Sequence, residues 1–476
     1  MNTCLTALAS PNTRGTEEVH QSACDAPLCY RLSASRRLLE GCGISAAGGG
    51  EAKAVSDSRN GEIPNVPECL LSRQQHSVIG VEKVRRLALM VTPHPEGEFL
   101  DQAWEAFSTI RAILRQQGEP MAVTAQTIYM RDMANAAALQ RLMEGFYGER
   151  TPVTIFLPQP PCDGAALAIE AWAVGTRQSQ IDYHGPNLVS VSYDGLRWTQ
   201  AAATAAVRAG YTAYEQSAEV FEAMRQELSK TGVAFDEVAR TWLYQGGITV
   251  PEEGTERYRE LNRARTDFFE GMHFGRRLSA SRNGSVSYPA STGIGTQGLG
   301  LAATCLALQT QRKDVRLYPL ENPLQTSSFD YAQRFSIKSP KFSRAMALAI
   351  GNYVTTWISG TASIVDSETV HIGDIEKQTD QTLTNIERLI DGDNYARHGL
   401  AGSGSTLADL AKVRVYVKRL EDFERCRATC ERRLGPVPVI YAHGDVCRPD
   451  LLVEIEAVAF SPLHQPVHQK QEFAPV

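Results

Sequence analysis

The chain has 476 residues, more than one hydrophobic core usually carries, so two or three domains are expected. Hydrophobic residues make up 43% and charged residues 21%, enough apolar surface to exclude a wholly disordered or collagen-like chain. A formal charge of -6 without a dense Lys/Arg block argues against a nucleic-acid partner, and no apolar run is long enough to cross a bilayer, so no membrane partner is expected either.

Residues 1–75 carry Ser, Asn, Gly and Glu without a hydrophobic period and include the run Gly48, Gly49, Gly50, which predicts a flexible leader. The start MNTCLTALAS lacks a basic segment followed by a long apolar stretch, so it does not read as a secretory signal and a cytoplasmic location is expected. The ten cysteines are scattered with no CxxC pair and read as thiols. Cys426 and Cys430 have no matching His/Cys pair, so no structural metal site is expected.

From Val81 onward a helix–strand–helix pattern recurs three times, each copy closed by apolar strands. The first copy has helix Trp104–Gln117, strand Val123–Tyr129 and helix Ala134–Tyr147. The second has Tyr214–Ser229, Val238–Tyr244 and Tyr258–Phe269. The third has Gln378–Ile390, Leu410–Tyr416 and Leu420–Leu434. Each of the three strands begins with an aliphatic residue and ends in Tyr. The closing strands are PVTIFL and LAIEAWAV, then YPASTGIG and LAATCLAL, then PVIYAHGDVC and LLVEIEAVAF. Helices layered on one face of a small mixed sheet define an α+β fold, divided as 1–75 leader, 76–176, 177–335 and 336–476; three unrelated α/β segments are the alternative.

The third copy resembles the Rid/YjgF family in FSRAMAL (342–348), WISGTASIV (357–365), GDIEKQTDQTLTNIERLI (373–390), VRVYVKRLEDF (413–423) and VEIEAVA (453–459). The first copy resembles the same fold through QTIYMRD (126–132) and AIEAWAV (168–174). The resemblance implies trimer-like packing with sites between neighbouring units, so three copies on one chain imply a monomeric intramolecular pseudo-trimer. Over residues 185–460 the chain further resembles the chorismatases, in YPASTGIG, ENPLQTSSFDYAQRF, SGTASIV and GDVCRPDLLVEIEA. That likeness implies cleavage of the enolpyruvyl ether of chorismate, a small-molecule substrate, to pyruvate and a hydroxybenzoate, with neither a metal nor an organic cofactor needed.

In VEIEA the strand period of two puts Glu454 and Glu456 on one face, with Val453, Ile455 and Val458 alternating around them. Burial and a like-charged neighbour both raise a carboxyl pKa, so one of the pair can stay protonated at neutral pH, as a general acid for an enol ether requires. Both could instead face solvent or pair with Arg. The chorismatase resemblance assigns the acid to Glu454, a substrate contact to Tyr331, and a product-determining pair, typical of the 3-hydroxybenzoate-forming subgroup, to Gly360 and Cys447. A buried thiol and a strand-bulge glycine are the plain structural alternatives. A dianionic substrate calls for Arg forks: Arg265 and Arg427 are the candidates, with Arg334, Arg344 and Arg448 as competitors.

A Rid-type imine deaminase would carry an arginine shortly before the final strands, where this chain is read as having Thr154, Ser291 and Tyr441. A non-catalytic metabolite-binding protein of the same superfamily is the other alternative. Gly293, Gly295 and Gly298 fit GxGxxG, but SYPAST rather than a hydrophobic strand precedes them, so no nucleotide site is expected. His371 and His443 read as structural, lacking a nucleophile at recognisable spacing.

Overall fold

The computed structural model describes residues 74–81, 84–275, 278–280, 287–331 and 338–464. The expected leader, apart from its last two positions, lies outside the described residues, as does Arg334.

The first sheet contains β1 (Gln74–Val81), β2 (Val84–Val91), β3 (Met121–Met130), β4 (Val153–Leu157) and β5 (Leu167–Gly175) in the order β1-β2-β5-β3-β4. The second contains β6 (Gln180–Tyr183), β7 (Leu188–Tyr193), β8 (Leu196–Ala205), β9 (Val238–Gly246), β10 (Ala290–Thr296) and β11 (Leu301–Thr310), ordered β6-β7-β8-β11-β9-β10. The third contains β12 (Val315–Leu320), β13 (Ala345–Ile350), β14 (Tyr353–Ala362), β15 (Leu410–Val417), β16 (Val439–His443) and β17 (Val453–Pro462), ordered β12-β13-β14-β17-β15-β16. In all three an antiparallel meander is followed by the last strand of the copy, then a strand and its parallel edge partner. Because β12 pairs with β13, the sheets change over between Thr310 and Val315, earlier than the expected boundary at 335/336.

Among the described residues the α-helices are α1 (Phe99–Arg115), α2 (Ala136–Tyr147), α3 (Ala213–Ser229), α4 (Arg257–Phe268), α5 (Ile375–Ile390), α6 (Gly392–Arg397) and α7 (Phe423–Leu434). The expected pairs are all present, with ends shifted by up to five residues. Helix α3 starts where Thr212 and Glu215 cap one another, the Thr212 N–H donating to Glu215 at 2.9 Å and the Glu215 N–H to the Thr212 hydroxyl at 3.3 Å. Its apolar residues Val220, Phe221, Met224 and Leu228 recur at helical spacing and are buried against the second sheet.

Each sheet buries its helix-covered face in a separate core, whereas the opposite faces of all three contribute to one shared core. The three strand-ending tyrosines, Tyr129, Tyr244 and Tyr416, meet that shared core and are at most 1% exposed. Charged groups buried there include Glu170 of β5, which accepts from Lys412 and Arg414 of β15 and so ties the first sheet to the third.

Candidate active site

Strand β17 lies between β14 and β15 in the third sheet. Val453, Ile455, Ala457 and Ala459 point to the helix-covered core, so the strand period turns Glu454 and Glu456 inward; Val458 shares their face rather than alternating with them. Both carboxylates are buried, at 4% and 3% exposure. Their surroundings then separate them.

Glu456 is held by donors from two sheets. Its Oε2 accepts from Arg240, from the Thr292 hydroxyl at 2.5 Å and from Trp242 Nε1 at 2.9 Å, while Oε1 accepts from Arg414 at 2.7 Å and from the Tyr416 hydroxyl at 2.9 Å. Burial alone would raise its pKa, but the charges of Arg414, Arg240 and Lys412 outweigh burial and hold it at about 2. For Glu454, burial and then the negative charge of Glu456 push the pKa up to about 8, against the weaker pull of Arg240 and Arg344. At neutral pH the strand therefore presents one ionised and one protonated carboxyl, the split the sequence pattern allows.

Glu454 faces a cleft of about 300 Å³ between the second and third sheets. Gly360, Cys447, Tyr331 and Arg265 line the same cleft, so five of the six sequence-derived candidates come together. Arg427 does not. It lies on the outer side of α7, 42% exposed and ion-paired with Glu424 at 2.7 Å, because α7 turns its apolar residues to the sheet and leaves the arginine outside.

Gly360 sits where the β14–β17 pairing slips between Ile358 and Thr361, and its N–H donates to the Thr292 hydroxyl at 3.0 Å. A Cβ there would stand 2.0 Å from Glu454 Oε1, so the glycine makes room for the acid itself. Burial first, then the Glu454 charge, pushes the Cys447 thiol up to about 12, so it stands as a thiol rather than a nucleophilic thiolate.

Arg265, 1% exposed, reaches the cleft from α4, bonded to Asn262 and, at 3.4 Å, to the Ser291 hydroxyl. Arg344, named only as a competitor, is equally central. It donates to the Tyr331 hydroxyl at 2.5 Å and to the Thr326 carbonyl at 3.0 Å. The two guanidiniums each lie 5.5 Å from the Phe342 ring, and both have a buried Nε without an acceptor among the described residues. Arg448 also lines the cleft, 5.4 Å from the Tyr331 ring. Tyr258, Asn262 and Phe342 were missed from sequence. The i, i+4, i+7 spacing of Tyr258, Asn262 and Arg265 was the available signal for one polar helix face.

The edge strands show why the arginine comparison needed the structure. Aligning Tyr129, Tyr244 and Tyr416 places Thr154 and Ser291 at matching positions, but the third counterpart is Val439, not Tyr441, which lies two residues along. No arginine occurs on β4, β10 or β16 in any register. Gly293 and Gly295 lie on β10, which leads into strand β11 rather than a helix, so the glycine string has no helix N-terminus to offer a phosphate. His371 occupies a turn at φ 60, and a ring nitrogen of His443 lies 3.1 Å from the Lys418 carbonyl; neither lines the cleft.

Three helix-backed sheets around a shared core, with an acid-bearing cleft between two of them, define a mixed α+β protein with an inter-sheet site. The model of the family described as chorismatase FkbO/Hyg5-like, N-terminal, matches residues 170–307. A chorismatase of Streptomyces rapamycinicus is 35% identical over 277 residues, 56% of this chain and 78% of that one. A 3-hydroxybenzoate synthase of Streptomyces hygroscopicus is 38% identical over 232 residues, 47% of this chain and 64% of the relative, just under two thirds of its length. A RutC family protein of Pyrococcus abyssi is 30% identical over 132 residues, 26% of this chain and 94% of that one. A chorismatase crystal structure superposes with a TM-score of 0.55 at 25% identity, covering 72% of this chain and 94% of that one. The chain belongs to the chorismatase family.

Proposed function

We propose that this protein cleaves the enolpyruvyl ether of chorismate to pyruvate and a hydroxybenzoate, with 3-hydroxybenzoate as the favoured product. The observation that carries the reading is a buried, protonated Glu454 facing a cleft that also holds Arg265, Arg344 and Arg448. Guanidiniums at the cleft anchor the two substrate carboxylates. Glu454 donates its proton to the enolpyruvyl methylene carbon, and the π electrons that take it up leave an oxocarbenium centre at the ether carbon. Glu456, held ionised two residues away, favours the protonated form of Glu454 beforehand and stabilises the cation afterwards. The ring hydroxyl attacks the ring carbon that bears the activated ether, the bond from that carbon to the ether oxygen breaks and pyruvate leaves as its carbonyl forms; loss of the hydroxyl proton and of one ring C–H proton, with one gained by the phenolic oxygen, then gives hydroxybenzoate and returns one proton to Glu454. Attack by water would give a dihydroxycyclohexadiene carboxylate instead.

Gly360 and Cys447 act here as product determinants, Gly360 by leaving the acid its place and Cys447 as a neutral wall of the cleft. Imine hydrolysis is disfavoured by the edge strands, none of which supplies the carboxylate-binding arginine. The three sheets are read as three Rid-like modules forming a monomeric intramolecular pseudo-trimer, changing over near residues 176 and 312, with the working site between the second and third. The decisive experiment incubates the purified protein with chorismate and follows products by chromatography. Pyruvate with 3-hydroxybenzoate is expected; no pyruvate would remove the activity and leave the fold.

A further inference from the structure

A second cavity, of about 80 Å³, lies where the three sheets meet and is distinct in its lining from the cleft at Glu454. Four of the five tryptophans wall it: Trp172 of the first sheet, Trp198 and Trp242 of the second, and Trp357 of the third. Into this aromatic enclosure the first sheet places Arg86 of β2, whose guanidinium lies 5.4 Å from the Phe460 ring. Among the described residues its Nε and Nη2 are buried without an acceptor, and the Thr355 hydroxyl on the cavity wall is likewise buried without a partner.

Nε and Nη2 form one edge of the guanidinium, the fork that a carboxylate fills with two parallel hydrogen bonds. Arg86 is itself only partly buried, but this donor edge is shut off from solvent, and donors left unsatisfied away from water are costly, while an aromatic wall strengthens a pair once it forms. Ring edges carry the positive part of the aromatic quadrupole and tolerate an anion beside them. The volume selects the body of the ligand. At about 80 Å³ the cavity is well below the roughly 150 Å³ that accommodates benzene in an apolar protein cavity, so an aromatic carboxylate is too large.

We propose that this cavity is a second ligand site, for a small planar monocarboxylate of pyruvate's size, with Arg86 as its carboxylate fork and Thr355 as a further hydrogen-bonding group. Naming pyruvate rests on the proposed reaction, which releases it; the carboxylate chemistry of the site does not. Trp242 gives the site a bearing on catalysis, because its indole lines the cavity while its Nε1 donates to Glu456 at 2.9 Å.

The test is a calorimetric titration of the full chain with sodium pyruvate at fixed ionic strength, with tryptophan emission recorded in parallel. One pyruvate per chain is expected, weakened about tenfold or more by Arg86→Gln and by Thr355→Val, and unchanged by Arg344→Gln in the cleft. Benzoate should not compete. Absence of binding up to about 10 mM overturns the proposal, as does binding that survives both Arg86→Gln and Thr355→Val or is lost in Arg344→Gln. If Arg86→Gln does not fold, Thr355→Val decides. The titration contains no chorismate, so its outcome stands apart from whether the chain turns chorismate over.

Discussion

Glu454 and Glu456 are two residues apart, equally buried, and driven in opposite directions by the groups around them. Glu454→Gln should lower chorismate turnover by about 10²–10⁴-fold, the usual worth of a general acid, with the fold retained. Since the acid works only when protonated, turnover should fall as pH rises through about 8. The same proton enters stability. The folded state holds it between the ordinary carboxyl value of 4.5 and about 8, so the stabilisation of a neutral Glu454 is lost as pH rises through that window. Thermal melts of Glu454→Gln should therefore gain on the parent protein from pH 5 toward pH 8, at about the pH range set by that shift. Gly360→Ala should cut turnover by about tenfold or more with a near-native melt, since the added Cβ meets the flexible end of Glu454 and turns it out of line. A steady-state assay beside a melting curve separates the two effects.

At the level of elements, β17 is tied to its surroundings through Glu456, which accepts from Arg240 and Trp242 of β9, Thr292 of β10, and Arg414 and Tyr416 of β15. Glu456→Gln leaves Arg240 and Arg414 short of an anion in a site where both are at most 4% exposed, and should cost about 3–5 kcal/mol in urea unfolding. For Glu456 the pH dependence has the opposite sign: its pKa is depressed to about 2, so its stabilisation is fully present above 4.5 and is lost as pH falls from 4.5 through about 2. Helical and strand periods were readable from single residues because Val220, Phe221, Met224 and Leu228, or the alternation in VEIEA, record which side of an element is buried. Arg427 shows the limit of that reading. Its segment was correctly expected to be helical, but a charged residue carries no mark saying whether its side of the helix overlooks a cleft or the solvent.

Across the whole molecule, the first sheet is joined to the third through Glu170, which accepts from Lys412 and Arg414 in a region where all three are at most 4% exposed. Glu170→Ala should destabilise the chain by about 3–5 kcal/mol, and adding Lys412→Met should recover part of the loss by removing one stranded charge; a double-mutant cycle in urea checks this. The repeat of helix, Tyr-ending strand and closing strands was legible in the residues, and with it the α+β class, since hydrophobic periodicity and helix caps are local properties. The VEIEA pair also disclosed its chemistry locally, because two carboxylates on one strand face must influence each other's ionisation. Other features depend on distance across the fold: the pairing of β12 into the third sheet, Arg344 beside Tyr331 and Phe342, and the cavity closed by tryptophans from three sheets. Those depend on which sheet faces meet, and contacts between residues far apart in the chain are decided by packing of the shared core rather than by any local pattern.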